Sequence, residues 1–273
     1  MNRKLGFIGA GNMGSALIRG ILKSGILQPD QVSVFDVQKE KLNELKMETG
    51  INILNSNAEV IANSDVIILA VKPNSIKSVL EPCKDCFDRE KLLVSIAVGV
   101  PIKFYKGILG SESKVVRTMP NTPANVGEGM TLISYDNNVG EEDIRVVRSL
   151  FECVGKAEIL EERLMSEVTA LTSSSPAYVF MFIEAMADAA VLSGIPRGIA
   201  YRLAAQAVLG SAKMVLESGK HPGELKDQVC SPAGTTIEAV SALEKNGFRY
   251  AIMDAMNECT KKAREIGRAS DNK

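Results

Sequence analysis

The chain of 273 residues carries little net charge, a formal -1 at neutral pH. It therefore offers no electrostatic footprint for nucleic acid or for an anionic membrane surface, and neither is expected as a partner. Histidine occurs once, at His221, inside the breaker-rich segment Gly219-Lys220-His221-Pro222-Gly223, which reads as a turn rather than a catalytic platform. The five cysteines, Cys83, Cys86, Cys153, Cys230 and Cys259, are odd in number and scattered, so no disulfide framework is expected. Cys83 and Cys86 have CxxC spacing, but no second pair and no nearby histidine completes a tetrahedral site, and no metal is expected. Nothing resembles a signal peptide, because Met1-Asn2-Arg3-Lys4 runs directly into an apolar strand, and the expected location is the cytoplasm. Repeats and low-complexity stretches are absent, and only the tail Ala269 to Lys273 reads as disordered.

What is present begins at the first strand. Leu5-Gly6-Phe7-Ile8 passes into Gly9-Ala10-Gly11-Asn12-Met13-Gly14 and then into an amphipathic segment, Ser15 to Lys23. This is strand, glycine loop, helix: Gly9 permits the tight turn, Gly11 leaves room for a pyrophosphate, and Gly14 lets helix and strand approach. Phosphates would rest on the amides that open the helix. A second strand, Gln31 to Asp36, ends in a carboxylate about 20 residues after the glycines, where a ribose hydroxyl needs an acceptor. The pattern predicts dinucleotide binding.

Further apolar runs follow, at Ile51 to Leu54, Asp65 to Val71, Leu92 to Ile96 and Lys114 to Met119, with helical segments at Val37 to Glu48, Asn57 to Asn63 and Ile102 to Leu109. Continuous apolar runs suit strands covered on both faces, and their alternation with helices predicts an α/β doubly wound domain. From about Glu141 the strands fade, apart from Ala157 to Ile159. A boundary near residue 160 divides the chain into a dinucleotide-binding domain, 1–160, and a helical domain, 161–273.

The helical half opens with Ser173-Ser174-Ser175-Pro176, a capped start with proline in the first turn. The helix body, Ala177 to Leu192, is apolar nearly all round, yet Glu184, Asp188 and its length predict burial between other helices, not a membrane span. Gly198 to Ser218, Pro232 to Asn246 and Phe248 to Gly267 give three more alanine-rich helices. Together they carry more apolar surface than one bundle needs, which points to a second subunit. In Ser231-Pro232-Ala233-Gly234-Thr235-Thr236 small and hydroxylated residues stand where a helix begins. The amides of Gly234, Thr235 and Thr236 suit a carboxylate there, although an ordinary capped helix start has the same composition.

These segments together resemble the pyrroline-5-carboxylate reductase family across both domains. The resemblance rests on Gly9 to Gly14, on Ala70-Val71-Lys72-Pro73, on Met119-Pro120-Asn121-Thr122-Pro123, and most specifically on Ser231 to Thr236 preceded by Leu225-Lys226-Asp227. It implies a Rossmann-type domain followed by an all-α dimerisation domain, with the active site at a subunit junction, a homodimer, and in some members a ring of dimers. The implied reaction is reduction of the cyclic imine 1-pyrroline-5-carboxylate to L-proline by NADPH or NADH. By the same resemblance Gly9, Ala10, Gly11, Asn12, Met13 and Gly14 hold the pyrophosphate, Asn57 lies near the adenosine ribose, Ala70, Val71, Lys72 and Pro73 line the cofactor, and Ala97 sits near the nicotinamide. Ser231, Gly234, Thr235 and Thr236 hold the substrate, with the Thr236 hydroxyl beside the imine nitrogen.

Two other readings stand beside it. β-Hydroxyacid dehydrogenases share the loop and a helical second domain but typically place a lysine on the helix after the junction, and Thr172 to Tyr178 has none. A carbonyl or alcohol substrate also calls for a positioned acid or base, whereas an imine needs chiefly orientation, a hydride and a proton. The other is a nucleotide sensor without turnover. Within the reductase reading, Asp36 puts negative charge where the extra phosphate of NADPH would lie and favours NADH. An Asp36 turned to solvent, with Asn57 or Lys39 receiving the phosphate, predicts the reverse.

Overall fold

The computed structural model describes residues 3–271, with side chains described through residue 267. Two compact units result: the chain up to Ser173 joined by the residues from Thr260 onward, and Ser174–Cys259.

The first unit is built on one sheet. Its elements are β1 (Leu5–Ile8), α1 (Asn12–Ser24), β2 (Val32–Phe35), α2 (Lys39–Thr49), β3 (Asn52–Ile53), α3 (Asn57–Ala62), β4 (Val66–Leu69), α4 (Ile76–Leu80), β5 (Leu92–Ser95), α5 (Ile102–Leu109), β6 (Lys114–Met119), β7 (Gly129–Tyr135), α6 (Glu141–Glu152) and β8 (Gly155–Ile159). The strand order is β3-β2-β1-β4-β5-β6-β7-β8. From β3 to β6 all pairings are parallel.

Each of β1, β4 and β5 is buried along its whole length. Alternate side chains serve opposite faces, as the two-residue period of a strand dictates. Val66 and Ile68 join one cluster with Leu17, Ile21, Leu42 and Phe151, while Ile67 and Leu69 join another with Val60, Leu80 and Tyr105. Helices therefore cover both faces, and the apolar runs read as continuous because neither face meets water.

The sheet extends beyond the sequence expectation. β7 pairs antiparallel with β6, and β8 runs parallel to β7. The link 120–128 is only a 3₁₀ turn at Thr122–Val126 closed by Gly127 in the left-handed region, too short for the crossover a parallel return demands. Asn121 fixes this corner. Its Oδ1 accepts the Met130 amide and its Nδ2 donates to Thr172 O, both at 2.9 Å. Thr172 lies in a single π turn, Thr169–Ser173.

Asp143, on α6, fastens the opposite side. Its carboxylate is buried, 2.7 Å from the Arg3 guanidinium and 3.2 Å from Lys114 Nζ. Burial opposes its ionisation, but hydrogen bonds and charge from Arg3 and Lys114 outweigh that cost and hold its pKa below the ordinary aspartate value. A carboxyl lowered on folding stabilises above its unfolded pKa, and the contribution disappears as the pH falls through the folded value. We therefore expect Asp143→Asn to cost about 2 kcal/mol at neutral pH and progressively less on acidification, as read from denaturant midpoints. A cost independent of pH would contradict the assignment.

The second unit contains α7 (Ser175–Leu192), α8 (Arg197–Ser218), α9 (Pro222–Val229), α10 (Thr235–Lys245) and the first half of α11 (Phe248–Asp271). This unit differs from the sequence reading in several places. The helix α9 fills a stretch that the sequence left unassigned, and α10 starts at Thr235 rather than Pro232, after Ala233 turns the chain at φ 53°. α11 reaches Asp271, inside the tail read as disordered; residues 272 and 273 lie outside the described residues.

The expectation that α7 is buried between other helices does not hold within one chain. Only Ala187 is buried on it, while Val179, Phe180, Met181 and Phe182 are exposed. Thr169–Leu192 is long and apolar enough to cross a membrane by length and composition alone. Among the described residues, most exposed large apolar side chains lie in this unit, including Leu203, Leu209, Met214, Leu216, Tyr250 and Met253. They are spread over several helices and not over one.

Candidate active site

In a doubly wound sheet, ligands gather beyond the carboxyl ends of the strands, at the point where strand order reverses. Here that point lies between β1 and β4. Gly9 follows β1, Asp36 follows β2, Ala70 follows β4, and Ala97 stands two residues beyond β5, so the parallel register brings all four to one edge.

Close contacts define the edge. Gly9 donates its amide to Phe35 O at 2.8 Å and Ala70 donates to Ile8 O at 2.8 Å. Gly9 has φ +98°, and a Cβ there would stand 2.6 Å from Ala70 O. At Gly14 a Cβ would stand 2.7 Å from Gly9 O, so helix and loop touch backbone to backbone. At Gly11, by contrast, a Cβ would meet nothing within 4 Å: the space over the loop is open.

Gly11 caps α1 without any side-chain bond to the helix amides, which leaves the first turn to an outside acceptor. Asn12, Met13 and Gly14 are that turn, and Ser15 Oγ ties it down by donating to Ala10 O at 2.8 Å. A cavity of about 340 Å³ lies beside it, lined by Ala10, Gly11, Asn12, Ser15, Arg19 and Lys41 among others. The Asp36 carboxylate faces the loop, accepting the Ala10 amide at 2.7 Å and the Gln38 amide at 2.9 Å. The open loop, uncapped helix and strand-end carboxylate fit a dinucleotide.

The other cofactor candidates take their places around this edge. Asn57 opens α3 behind the Ser56 cap, half-buried. Val71 is half-buried, whereas Lys72 and Pro73 are exposed and begin a short 3₁₀ turn. Ala97 is buried, and its support was not foreseen from sequence. Ser95 Oγ accepts the Ala97 amide at 3.2 Å and pairs with Tyr105 Oη at 2.5 Å, while Ser95 O accepts from Thr118 Oγ1 at 3.0 Å. Burial pushes the Tyr105 phenol far above its usual pKa, keeping it neutral. The signal was a serine ending an otherwise apolar strand.

In the second unit, Ser231 to Thr236 form the entry to α10. Gly234 is its cap and already gives its amide to Ser231 O at 3.1 Å, so the amides left for a ligand are those of Thr235 and Thr236. No side chain caps this helix. Thr236 is half-buried and Ser231 and Thr235 are exposed. His221, by contrast, caps α9, its Nδ1 accepting the Gly223 amide at 3.1 Å. Cys83 and Cys86 are free thiols.

A doubly wound sheet with this loop and carboxylate at its switch point, followed by a helical unit, defines a Rossmann-type dinucleotide-binding protein. Comparison with known proteins narrows the class. A family model described as "Pyrroline-5-carboxylate reductase dimerisation" matches residues 162–266, and one described as "NADP oxidoreductase coenzyme F420-dependent" matches residues 4–99. Pyrroline-5-carboxylate reductase of Escherichia coli K12 is 48% identical over 269 residues, which cover 98% of this chain and 100% of that protein. Among solved structures, pyrroline carboxylate reductase of Plasmodium falciparum with NADP bound is 37% identical with a TM-score of 0.88, covering 97% of this chain and 98% of its own. That of Coxiella burnetii is 33% identical with a TM-score of 0.91, covering 97% and 99%. The chain belongs to the pyrroline-5-carboxylate reductase family.

Proposed function

We propose that this chain performs its reduction with the residues of its carboxyl edge and of the α10 entry, in the following division of labour. The reaction is reduction of 1-pyrroline-5-carboxylate to L-proline with NADPH or NADH. The observation that carries it is similarity over essentially the whole chain to reductases of this family, joined to an open glycine loop and an uncapped second helix start. Residues 1–160 bind the nucleotide, and 161–273 provide the dimerisation surface and the substrate groups; the family match at 162–266 supports this division.

Bound nicotinamide supplies the hydride. The protein does the rest by orientation. Gly9 to Gly14 hold the pyrophosphate, Asp36 and Asn57 the adenosine ribose, Ala70 to Pro73 the middle of the cofactor, and Ala97 the nicotinamide end. Amides of Thr235 and Thr236, at the positive end of α10, hold the substrate carboxylate, with Ser231 and Gly234 shaping the turn. As the imine carbon gains hydride, the C=N electron pair moves onto nitrogen, which takes a proton. The Thr236 hydroxyl hydrogen-bonds at that nitrogen. Among the described residues it has no other hydrogen-bond partner, which leaves it available.

The working form is a cytoplasmic homodimer, and the exposed apolar side chains of the helical unit support it. Burying each large apolar side chain gains about 1.5 to 3 kcal/mol, so an exposed set that includes Phe180, Met181, Leu203 and Leu216 favours a second copy strongly. Dilution is expected to dissociate and inactivate the protein, and Phe180→Asp to do so at higher concentration. A fully active monomer in sedimentation would contradict the dimer. The activity itself is tested by mixing purified protein, 1-pyrroline-5-carboxylate and each reduced nucleotide, then following nicotinamide absorbance. Oxidation should require protein and imine together; binding of nucleotide with no oxidation would leave a sensor instead of a reductase.

A further inference from the structure

We infer that Asp36 makes this chain an NADH enzyme, by complementing the free ribose diol of NADH and opposing the 2′-phosphate of NADPH. The inference rests on the reading of Gly9–Gly14 as the dinucleotide site and deepens it. Asp36 stands directly after β2 and against the glycine loop, bonded through Oδ2 to the Ala10 amide and through Oδ1 to the Gln38 amide. Those two bonds decide between the orientations that the sequence leaves open. The carboxylate cannot swing to solvent without releasing an amide of the loop itself.

An ionised carboxylate offers about four lone-pair positions. Two are filled by Ala10 and Gln38, one on each oxygen, which leaves one acceptor site on each for two O–H donors. A vicinal ribose diol supplies two such donors. The phosphate of NADPH replaces one of them by a group bearing about two negative charges and no donor at neutral pH. It would lie well inside the screening length of about 8 Å at physiological salt, so the repulsion survives in solution.

The nearby cations are Arg19, Lys39 and Lys41. The Arg19 guanidinium is held by both oxygens of Glu48 at 2.8 to 2.9 Å. Lys39 and Lys41, on the first turn of α2, alternate with Glu40 and are followed by Glu44, so the segment from Asp36 to Glu44 is net negative. Val37 and Gln38 bring no charge.

The test compares kcat/KM for NADH and NADPH in the parent, Asp36→Ser and Asp36→Asn, with equilibrium binding of each reduced nucleotide followed by fluorescence and melting temperatures as a folding control. The parent is expected to favour NADH at least about tenfold, equivalent to roughly 1.4 kcal/mol. Both variants should move the ratio toward NADPH by a further tenfold or so. The asparagine keeps one oxygen for the Ala10 or the Gln38 amide and sets its NH2 against the other, so its melting temperature is read beside the ratio. A parent that favours NADPH, or an unchanged ratio in a variant that melts like the parent, overturns the inference. If both nucleotides bind but neither is oxidised by the imine, the reductase reading fails, and the binding ratio alone still decides the selectivity.

Discussion

Replacing Thr236 by alanine should lower kcat/KM for the imine about a hundredfold, a loss near 2.7 kcal/mol of the kind seen when one preorganised donor to a developing charge is removed. Nucleotide affinity should not change, because Thr236 lies in the helical unit and the glycine loop in the other. Folding should also survive. Thr236 is half-buried, its hydroxyl has no hydrogen-bond partner among the described residues, and α10 does not use it as a cap. Thr236→Ser retains the hydroxyl and should recover most of the rate, whereas Thr236→Val retains the shape and should not. An unchanged rate in the alanine variant would remove this residue from the site.

Gly9→Ala and Gly11→Ala should fail in different ways, and the contrast separates a structural glycine from a ligand-facing one. At Gly9 the added Cβ meets Ala70 O at 2.6 Å in a backbone region that L-residues avoid. Left-handed strain alone costs about 1 to 3 kcal/mol, and the clash adds displacement of β4 from the loop. Stability and nucleotide binding should both fall. Gly11 has φ -64° and ψ -171°, which alanine adopts freely, and its Cβ would meet nothing. The melting temperature should therefore hold while nucleotide affinity drops by about a hundredfold, because the methyl group occupies the approach to the loop amides. Calorimetry and fluorescence titration read the two effects separately. Full affinity in Gly11→Ala would show that the pyrophosphate lies elsewhere.

Much of the first unit is legible in the sequence because local and tertiary signals agree there. Leu5 to Gly14 combines an apolar run, a turn that only glycine satisfies and an amphipathic helix, and the structure uses all three. The apolar runs at Asp65 to Val71 and Leu92 to Ile96 announce strands covered on both sides, and Val66–Leu69 and Leu92–Ser95 are buried throughout. β7 escaped because Gly127 and Gly129 break its approach and its direction depends on the length of the link from β6, not on its own residues. The Ser95–Tyr105 pair under Ala97 joins residues on different elements, and no spacing rule marks it. Likewise, Asp36 is visible as a strand-end carboxylate, but its orientation is set by the Ala10 amide, which only the folded loop presents. The all-round apolar composition of α7 predicts burial between helices, but on this chain only its Ala187 is buried, because burial depends on what packs against a helix and not on its own residues.

The most direct measurement is a crystal structure of the assembled protein with NAD and L-proline bound. The account predicts the proline carboxylate on the amides of Thr235 and Thr236 of one chain, the Thr236 hydroxyl at the ring nitrogen, and Cδ, the former imine carbon, about 3 to 3.5 Å from the nicotinamide. A nicotinamide ring remote from Thr236 of every chain in the assembly would contradict it.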